Sequence, residues 1–457
     1  MNREDLKFTL SVLRRSLDGD AFTHVVRHTP HADIADELEA LPVADVAALL
    51  QTLQPADRTE LFSHLPERLQ DALLPALPRP VVVQLFETLP SDDRADLFNR
   101  LSEEAQAQLL PALAQVERED ILRLAAYPEG SVGSVVTSDY VAVTPDMTAQ
   151  AALDLIRATA PDKETVYVIY VLNAERQLLG TLSLRELVLC PPDSRISDLM
   201  RKDPVFAKAE WPRAQAAELI RRYDLLALPV INGGNRMIGI VTVDDAMDIE
   251  KEQDATQLAR FGGTAMMGGP DLDIRESSIG QMYKTRVFWL AILTFFGILT
   301  STFVAGQEEI LSEVIILAAF IAPIIDMGGN TGSQSATLVI RAMAIGDVKL
   351  KWRDIWFVVK REIPIALGLG VTIAILEAIL AYFSKGVGFD VLMVVGLTML
   401  IVTVLGGIIG ALLPFAARRI GTDPATLSSP MITSIMDLLG VFIYFYIAYL
   451  FFGHLMG

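Results

Sequence analysis

The fold class predicted by this chain is a multi-domain membrane protein: an all-α helical-repeat domain, then an α/β tandem repeat, then a five-helix α transmembrane domain. Three observations predict it. The 457 residues are 52% hydrophobic, yet the formal net charge is −18. These two properties are segregated, with most Asp and Glu before about residue 285 and Leu, Ile, Val, Phe, Gly and Ala dominant from Val287 onward. One part is therefore built for water and the other for lipid. The third observation is repetition, with one period in residues 1–130 and another in 131–250.

In residues 1–130 the period is twelve: Leu41, Leu53, Leu65, Leu77, Leu89, Leu101 and Leu113 fall on it, as do Leu50, Phe62, Leu74, Phe86, Phe98 and Leu110. Pro42, Pro66, Pro78 and Pro90 punctuate the same register. Proline suits the first turn of a helix and not its interior, so each unit reads as a short helix and a turn. Such units bury their apolar faces only by stacking into a helical solenoid. Asp57, Glu60, Asp92, Asp93 and Asp96 lie between the apolar positions, on the expected solvated face. His24, His28 and His31 have helix-face metal spacing, but Pro30 interrupts them.

In residues 131–250 the segment TVYVIYVLNAERQLLGTLSLREL matches LLALPVINGGNRMIGIVTVDDAM, with Gly180 on Gly239, Ser183 on Thr242 and Arg185 on Asp244. Each half reads strand, polar turn, Gly, strand, helix, preceded by an amphipathic helix at 149–158 or 213–223. This tandem resembles a pair of CBS domains. The resemblance implies clefts for adenine nucleotides or metal ions, and dimerisation. Residues 251–285 read as a charged connecting helix followed by a Gly-rich stretch with Gly262, Gly263, Gly268, Gly269 and Pro270.

Residues 286–457 form the membrane domain. Apolar segments at 287–305, 314–340, 355–383, 391–417 and 430–452 are each long enough to cross ~30 Å of hydrocarbon. Lys284 and Arg286, the stretch from Arg341 to Arg361, and Arg418 and Arg419 fall on one side, whereas Glu308, Glu309, Glu313 and Asp390 fall on the other with a lone Lys385. The positive-inside rule then predicts a cytosolic N-terminus and an outer C-terminus in a cell (inner) membrane. The opening MNREDLKFTL, without an apolar signal segment, points the same way.

An acidic balance disfavours a nucleic-acid partner and suits a surface that meets small cations, although carboxylates also simply confer solubility. A single cysteine, Cys190, excludes an intrachain disulfide framework and a thiolate zinc site. Asp437 sits in the middle of the last apolar segment, where a carboxylate costs at least ~2.5 kcal/mol and normally faces a hydrated path or a cation. Ser428, Ser429, Thr433 and Ser434 add hydroxyls on its approach. The second segment contains APIIDMGGNTGSQSAT, where Pro323, Gly328, Gly329 and Gly332 predict a broken helix and Asp326, Asn330, Thr331, Ser333 and Gln334 supply oxygens. Irregular backbone at that depth lines a cavity; the competing reading is a small-residue helix-packing face. Magnesium, which dehydrates reluctantly and is held through its waters by one or two carboxylates, fits this donor set.

The stretches PIIDMGGNTGSQSATLVIRA, GTDPATLSSP and MDLLG resemble the MgtE family of magnesium channels or transporters, in domain order as well as in motif. The resemblance implies a homodimer, no enzymatic activity, a pore on the two-fold axis and Asp437 as its central ion site. It also implies closure by cytosolic magnesium, with Glu60, Asp92, Asp96, Asp224, Asp245, Asp248 and Asp423 as candidate regulatory ligands. Mg2+ is then both substrate and regulator, and ATP is a further implied ligand of the CBS pair, with Arg185 as its candidate contact. Asp326 stands where the family usually has glycine, and Ser429 where it has asparagine. Gln253 and Gln257 replace acids of the connecting helix, which implies fewer gating ions or a weaker affinity. The alternative is a membrane-anchored magnesium or nucleotide sensor that does not conduct.

Overall fold

The computed structural model describes residues 3–264, 272, 277–426 and 429–455. Gly268, Gly269, Pro270 and Ser428 lie outside the described residues. The chain forms two compact units, Met1–Lys251 and Glu252–Gly457.

The first unit begins with ten helices: α1 (Arg3–Ser16), α2 (Gly19–His28), α3 (His31–Glu39), α4 (Val43–Thr52), α5 (Pro55–Ser63), α6 (Glu67–Leu73), α7 (Arg79–Thr88), α8 (Ser91–Arg100), α9 (Glu103–Leu109) and α10 (Gln115–Leu124). Pro42, Pro66, Pro78 and Pro90 stand at the N-cap, one residue ahead of the first turn, where their extended backbone starts each helix cleanly. Leu53, Leu65, Leu77 and Leu89, between the helices, are buried with Leu50, Phe62 and Phe86 in one continuous core. The twelve-residue period is thus one helix plus one buried turn. Not all of its acids are solvated as expected: Asp57 is 8% exposed because Arg27 donates to both of its oxygens at 2.9 and 3.0 Å. Asp92 is half-buried, whereas Glu60, Asp93 and Asp96 are exposed.

The tandem repeat follows as β1 (Tyr140–Val143), α11 (Ala149–Thr159), β2 (Thr165–Leu172), β3 (Leu178–Ser183), α12 (Leu184–Leu189), α13 (Ile196–Leu199) and β4 (Arg201–Lys202), then β5 (Ala207–Lys208), α14 (Arg213–Tyr223), β6 (Ala227–Ile231), β7 (Met237–Thr242) and α15 (Val243–Phe261). Two sheets form, β1-β2-β3-β4 and β5-β6-β7, each with a parallel first pair and an antiparallel second. Val171 pairs with Gly180 in one and Val230 with Gly239 in the other, so the two halves share a register as well as a sequence. Ala95 of α8 and Leu124 of α10 join the core of the second half. Ser91 reinforces this contact, accepting from the Ser138 backbone at 2.6 Å with its hydroxyl 3.0 Å from that of Thr137.

Among the described residues, the second unit contains five helices long and apolar enough to cross a membrane. They are α16 (Ile279–Ala305), α18 (Ala318–Ala344), α19 (Trp352–Lys385), α20 (Phe389–Arg419) and α21 (Ser429–Phe452), with a short α17 (Glu308–Glu313) after the first. The predicted break in the second span is not there: α18 runs unbroken through Pro323 and the glycines. The glycines serve packing instead. A Cβ on Gly328 would lie 2.5 Å from Val402 and 3.1 Å from Met436, and one on Gly332 would lie 3.0 Å from the Gly406 carbonyl. Only Gly lets α18 press this closely on α20 and α21, as in other membrane helix pairs. Tyr444 closes the other end, donating to the Leu317 carbonyl at 2.8 Å.

Candidate functional site

With glycines, Ser335 and Ala336 on its packed face, α18 turns its polar residues the other way. Asp326, Asn330, Gln334, Thr337 and Arg341 are all exposed, spaced three or four apart with Ser333 half-buried beside them. That spacing places them on one stripe. The last helix, α21, carries a parallel stripe one turn per step, Ser429, Thr433 and Asp437, all half-buried. The stripes adjoin: the Ser429 hydroxyl donates to that of Ser333 at 2.8 Å, and Thr433 packs where a Cβ on Gly329 would be. Asp326 is near enough to act electrostatically on Asp437, and one Asp437 carboxylate oxygen is buried without a hydrogen-bond partner among the described residues. A polar stripe on the outside of an apolar bundle cannot face hydrocarbon without losing its hydrogen bonds. It fits a hydrated path.

The first unit gathers a second set of acids. Asp92, Asp93 and Asp96 on α8 meet Asp244, Asp245 and Asp248 at the start of α15, with Glu164 just before β2. Loss of hydration, then Asp245, pushes the Asp92 carboxyl well up, and one of its oxygens is buried without a partner among the described residues. The same causes lift Asp93 to about 6, while loss of hydration followed by Asp245 and Asp244 lifts Glu164 to about 7. Asp93, Asp96 and Asp248 line one cavity with Arg100, whose guanidinium bonds Asp96 and Asp71 at 3.0 Å each. Among the described residues no three Asp, Glu, His or Cys side chains converge closely enough to hold an ion directly. Crowded carboxylates without a cage suit an ion that keeps its water.

Other candidates are not brought together. Glu60 lies 3.6 Å from the Nδ1 of His31, whose ring meets that of His64 edge-on. His24 and His28 stack on α2, and Pro30 caps α3, so the three histidines do not converge. Asp224 is an exposed left-handed C-cap of α14. Asp245 accepts from both the backbone and the hydroxyl of Thr242, the counterpart of the Glu186–Ser183 capping box in the first half. Its charge still acts on the cluster, but one oxygen is used to start α15. Asp423 is occupied as well: Arg260 donates to one oxygen at 2.6 Å and the Ala425 backbone to the other at 2.9 Å. Arg185 is exposed on α12.

Two acids escape sequence reading. Glu164 has no motif around it and becomes visible only when the fold brings α15 beside it. Glu362, in the apolar α19, is 9% exposed and accepts from Ser335 of α18 at 2.5 Å. Lys360 and Arg361 directly before it hide it in the sequence, where the three read together as one charged patch.

Residues 321–447 match a family described as a divalent cation transporter, residues 29–130 an MgtE intracellular N domain, and residues 132–191 and 196–252 CBS domains. The magnesium transporter MgtE of Thermus thermophilus is 36% identical over 333 residues, 72% of each chain. The magnesium transporter MgtE of Bacillus subtilis is 31% identical over 73% of this chain and 72% of its own length. Among solved structures, the cytosolic domain of the Mg2+ channel MgtE in complex with ATP is 31% identical, with a TM-score of 0.51 over 53% of this chain and 99% of that one.

Proposed function

Since this chain belongs to the MgtE family of magnesium transporters, we propose that it is a homodimeric channel for Mg2+ uptake, closed by Mg2+ on its acidic cytosolic cluster. The observation that carries the reading is the outward polar stripe of α18 and α21, which a second copy across a two-fold axis would enclose as a water-filled conduit. Hydrated Mg2+ enters from the outer side, passes between paired Asp326 and Asp437 carboxylates, and descends along Asn330, Ser429 and Thr433. Gly328 and Gly329 shape the path from behind, because they hold α18 tight against its neighbours.

The regulatory half works by charge. Without cations the acids at the α8–α15 contact repel one another. Bound Mg2+ relieves that repulsion and favours the state in which the contact is closed; it shifts the balance only because the open state binds it less well. Asp92, Asp96 and Asp248 are the proposed ligands, with Glu164 added. The CBS pair is the place for ATP, with Arg185 as a contact, and the N-terminus is cytosolic in a cell membrane.

Purified protein in liposomes tests the reading. Inward Mg2+ flux down an imposed gradient, reduced by Mg2+ on the cytosolic face, is the expected result. Liposomes as tight as protein-free ones at every gradient would overturn conduction and leave the non-conducting sensor.

A further inference from the structure

The membrane unit holds a buried carboxyl group that conduction along the stripe does not use. Glu362 lies roughly 15 Å along α19 from Trp352, at ~1.5 Å per residue, directly after Lys360 and Arg361 and ahead of the long uncharged part of the helix. Its oxygen Oε1 accepts from the Ser335 hydroxyl at 2.5 Å, and that hydroxyl also lies 3.0 Å from the Thr331 carbonyl one turn earlier. The third helix leaves room: a Cβ on Gly407 of α20 would be 3.1 Å from the Glu362 oxygen and 3.6 Å from the Ser335 hydroxyl. Three helices thus meet at one polar knot with no side chain from the third.

No cation answers this acid among the described residues. Lys360 and Arg361 precede it directly but are exposed, and Arg361 lies over the Phe357 ring. Neighbours at those spacings do not share a helix face. On α18, Asp326 and Arg341 belong to the exposed stripe, and on α20 the charged residues Asp390, Arg418 and Arg419 stand at the two ends. Each alternative partner is therefore elsewhere.

We propose that Glu362 is a positioning residue for ion passage: through Ser335 it fixes the rotation and depth of α18, and with them Asp326 and Asn330 on the opposite face. On the far side Ser333 is tied to Ser429, so α18 is held from two directions, by α21 beside the path and by α19 behind it. Loss of the rear tie lets the stripe turn while the glycine packing persists. The side chain acts by hydrogen bonding, and its charge is dispensable because no cation faces it. This inference rests on the conducting reading above.

The test is Mg2+ flux into liposomes from full-length E362A, E362Q, S335A and the E362A/S335A double variant, beside thermal unfolding of the same proteins in detergent. E362A and S335A should each lower maximal flux about tenfold with half-saturating Mg2+ unchanged, since the path is misaligned and not stripped of its ligands. E362Q, which keeps an oxygen and adds N–H donors, should restore most of the flux. In unfolding, E362A and S335A should be non-additive, as expected of two residues sharing one bond. Normal flux in E362A overturns the inference, and so does E362Q failing like E362A while still folded, because the charge would then be what matters. If E362A does not fold, S335A and E362Q decide alone. A wild-type protein that does not conduct would instead overturn the parent reading, and the unfolding cycle would still report the Glu362–Ser335 bond.

Discussion

The two units treat negative charge in opposite ways. In the first unit seven carboxylates from three segments lie near one another, and loss of hydration, added to by their mutual repulsion, lifts Asp92, Asp93 and Glu164 toward neutrality. In the second, the two stripe acids stand near each other on apolar helices, with Arg341 the other charged residue of the stripe among the described residues. The soluble cluster stores repulsion that a cation or a proton relieves, so it responds to concentration. In the proposed channel, the membrane pair would place a small number of charges along the route and select what passes without holding it. Density suits sensing, and sparseness suits conduction.

The largest expected effect breaks the sparse side. Asp437→Ala should cut liposome Mg2+ flux by at least about 100-fold, since ~2.7 kcal/mol of ion stabilisation corresponds to two decades; a variant that conducts within threefold of wild type would move the central site elsewhere. The dense side should respond differently. Neutralising Asp92 and Asp248 together should leave flux at low Mg2+ intact and raise the half-inhibitory Mg2+ about tenfold, and an unchanged inhibition curve would refute their assignment.

Much of this contrast was legible in the sequence. The five spans, the twelve-residue solenoid and the paired strands follow from periodicities of one helix plus turn, 3.6 and 2, and all three are local signals. Asp437 was legible for the same reason, as one acid in an apolar run. What was not legible depends on partners distant in sequence. Pro323 and three glycines argue locally for a break, but α20 and α21 supply the close packing that keeps α18 helical. Asp423 has the right residue type for a metal ligand, and only the fold shows that Arg260 already bonds it, whereas the Thr242–Asp245 cap is a local T-x-x-D pattern. Glu164 and Glu362 carry no motif at all.

A smaller effect sharpens the sensing side by pH. The raised carboxyls of Asp92, Asp93 and Glu164 mean that, from about pH 4 to about pH 7, the folded protein binds more protons than the unfolded chain, so its stability falls as pH rises through that window. Mg2+ should reverse this loss. The thermal midpoint of the full-length protein should rise on adding Mg2+ near pH 7 and hardly change near pH 4.5, where protons already occupy the cluster; an equal Mg2+ effect at both would place the ions elsewhere. Smallest of all is Arg260→Ala. The Arg260–Asp423 pair is partly exposed, at 34% and 24% for the two side chains, so its removal should cost no more than about 1 kcal/mol in unfolding measurements. A larger loss would make this pair a main clamp on the connecting helix.

The orientation of the α18 stripe is the claim on which the rest stands, and thiol accessibility reads it directly. In a Cys190→Ser background, single cysteines at Asn330 and at Leu369, an exposed apolar position on α19, would be treated in proteoliposomes with a charged, water-soluble thiol reagent while Mg2+ flux is followed. The account predicts that the cysteine at position 330 reacts, that its reaction blocks flux and is slowed by Mg2+, and that the one at 369 stays unmodified in lipid. Equal inertness at both positions, or reaction at 369 alone, would contradict a hydrated path along α18.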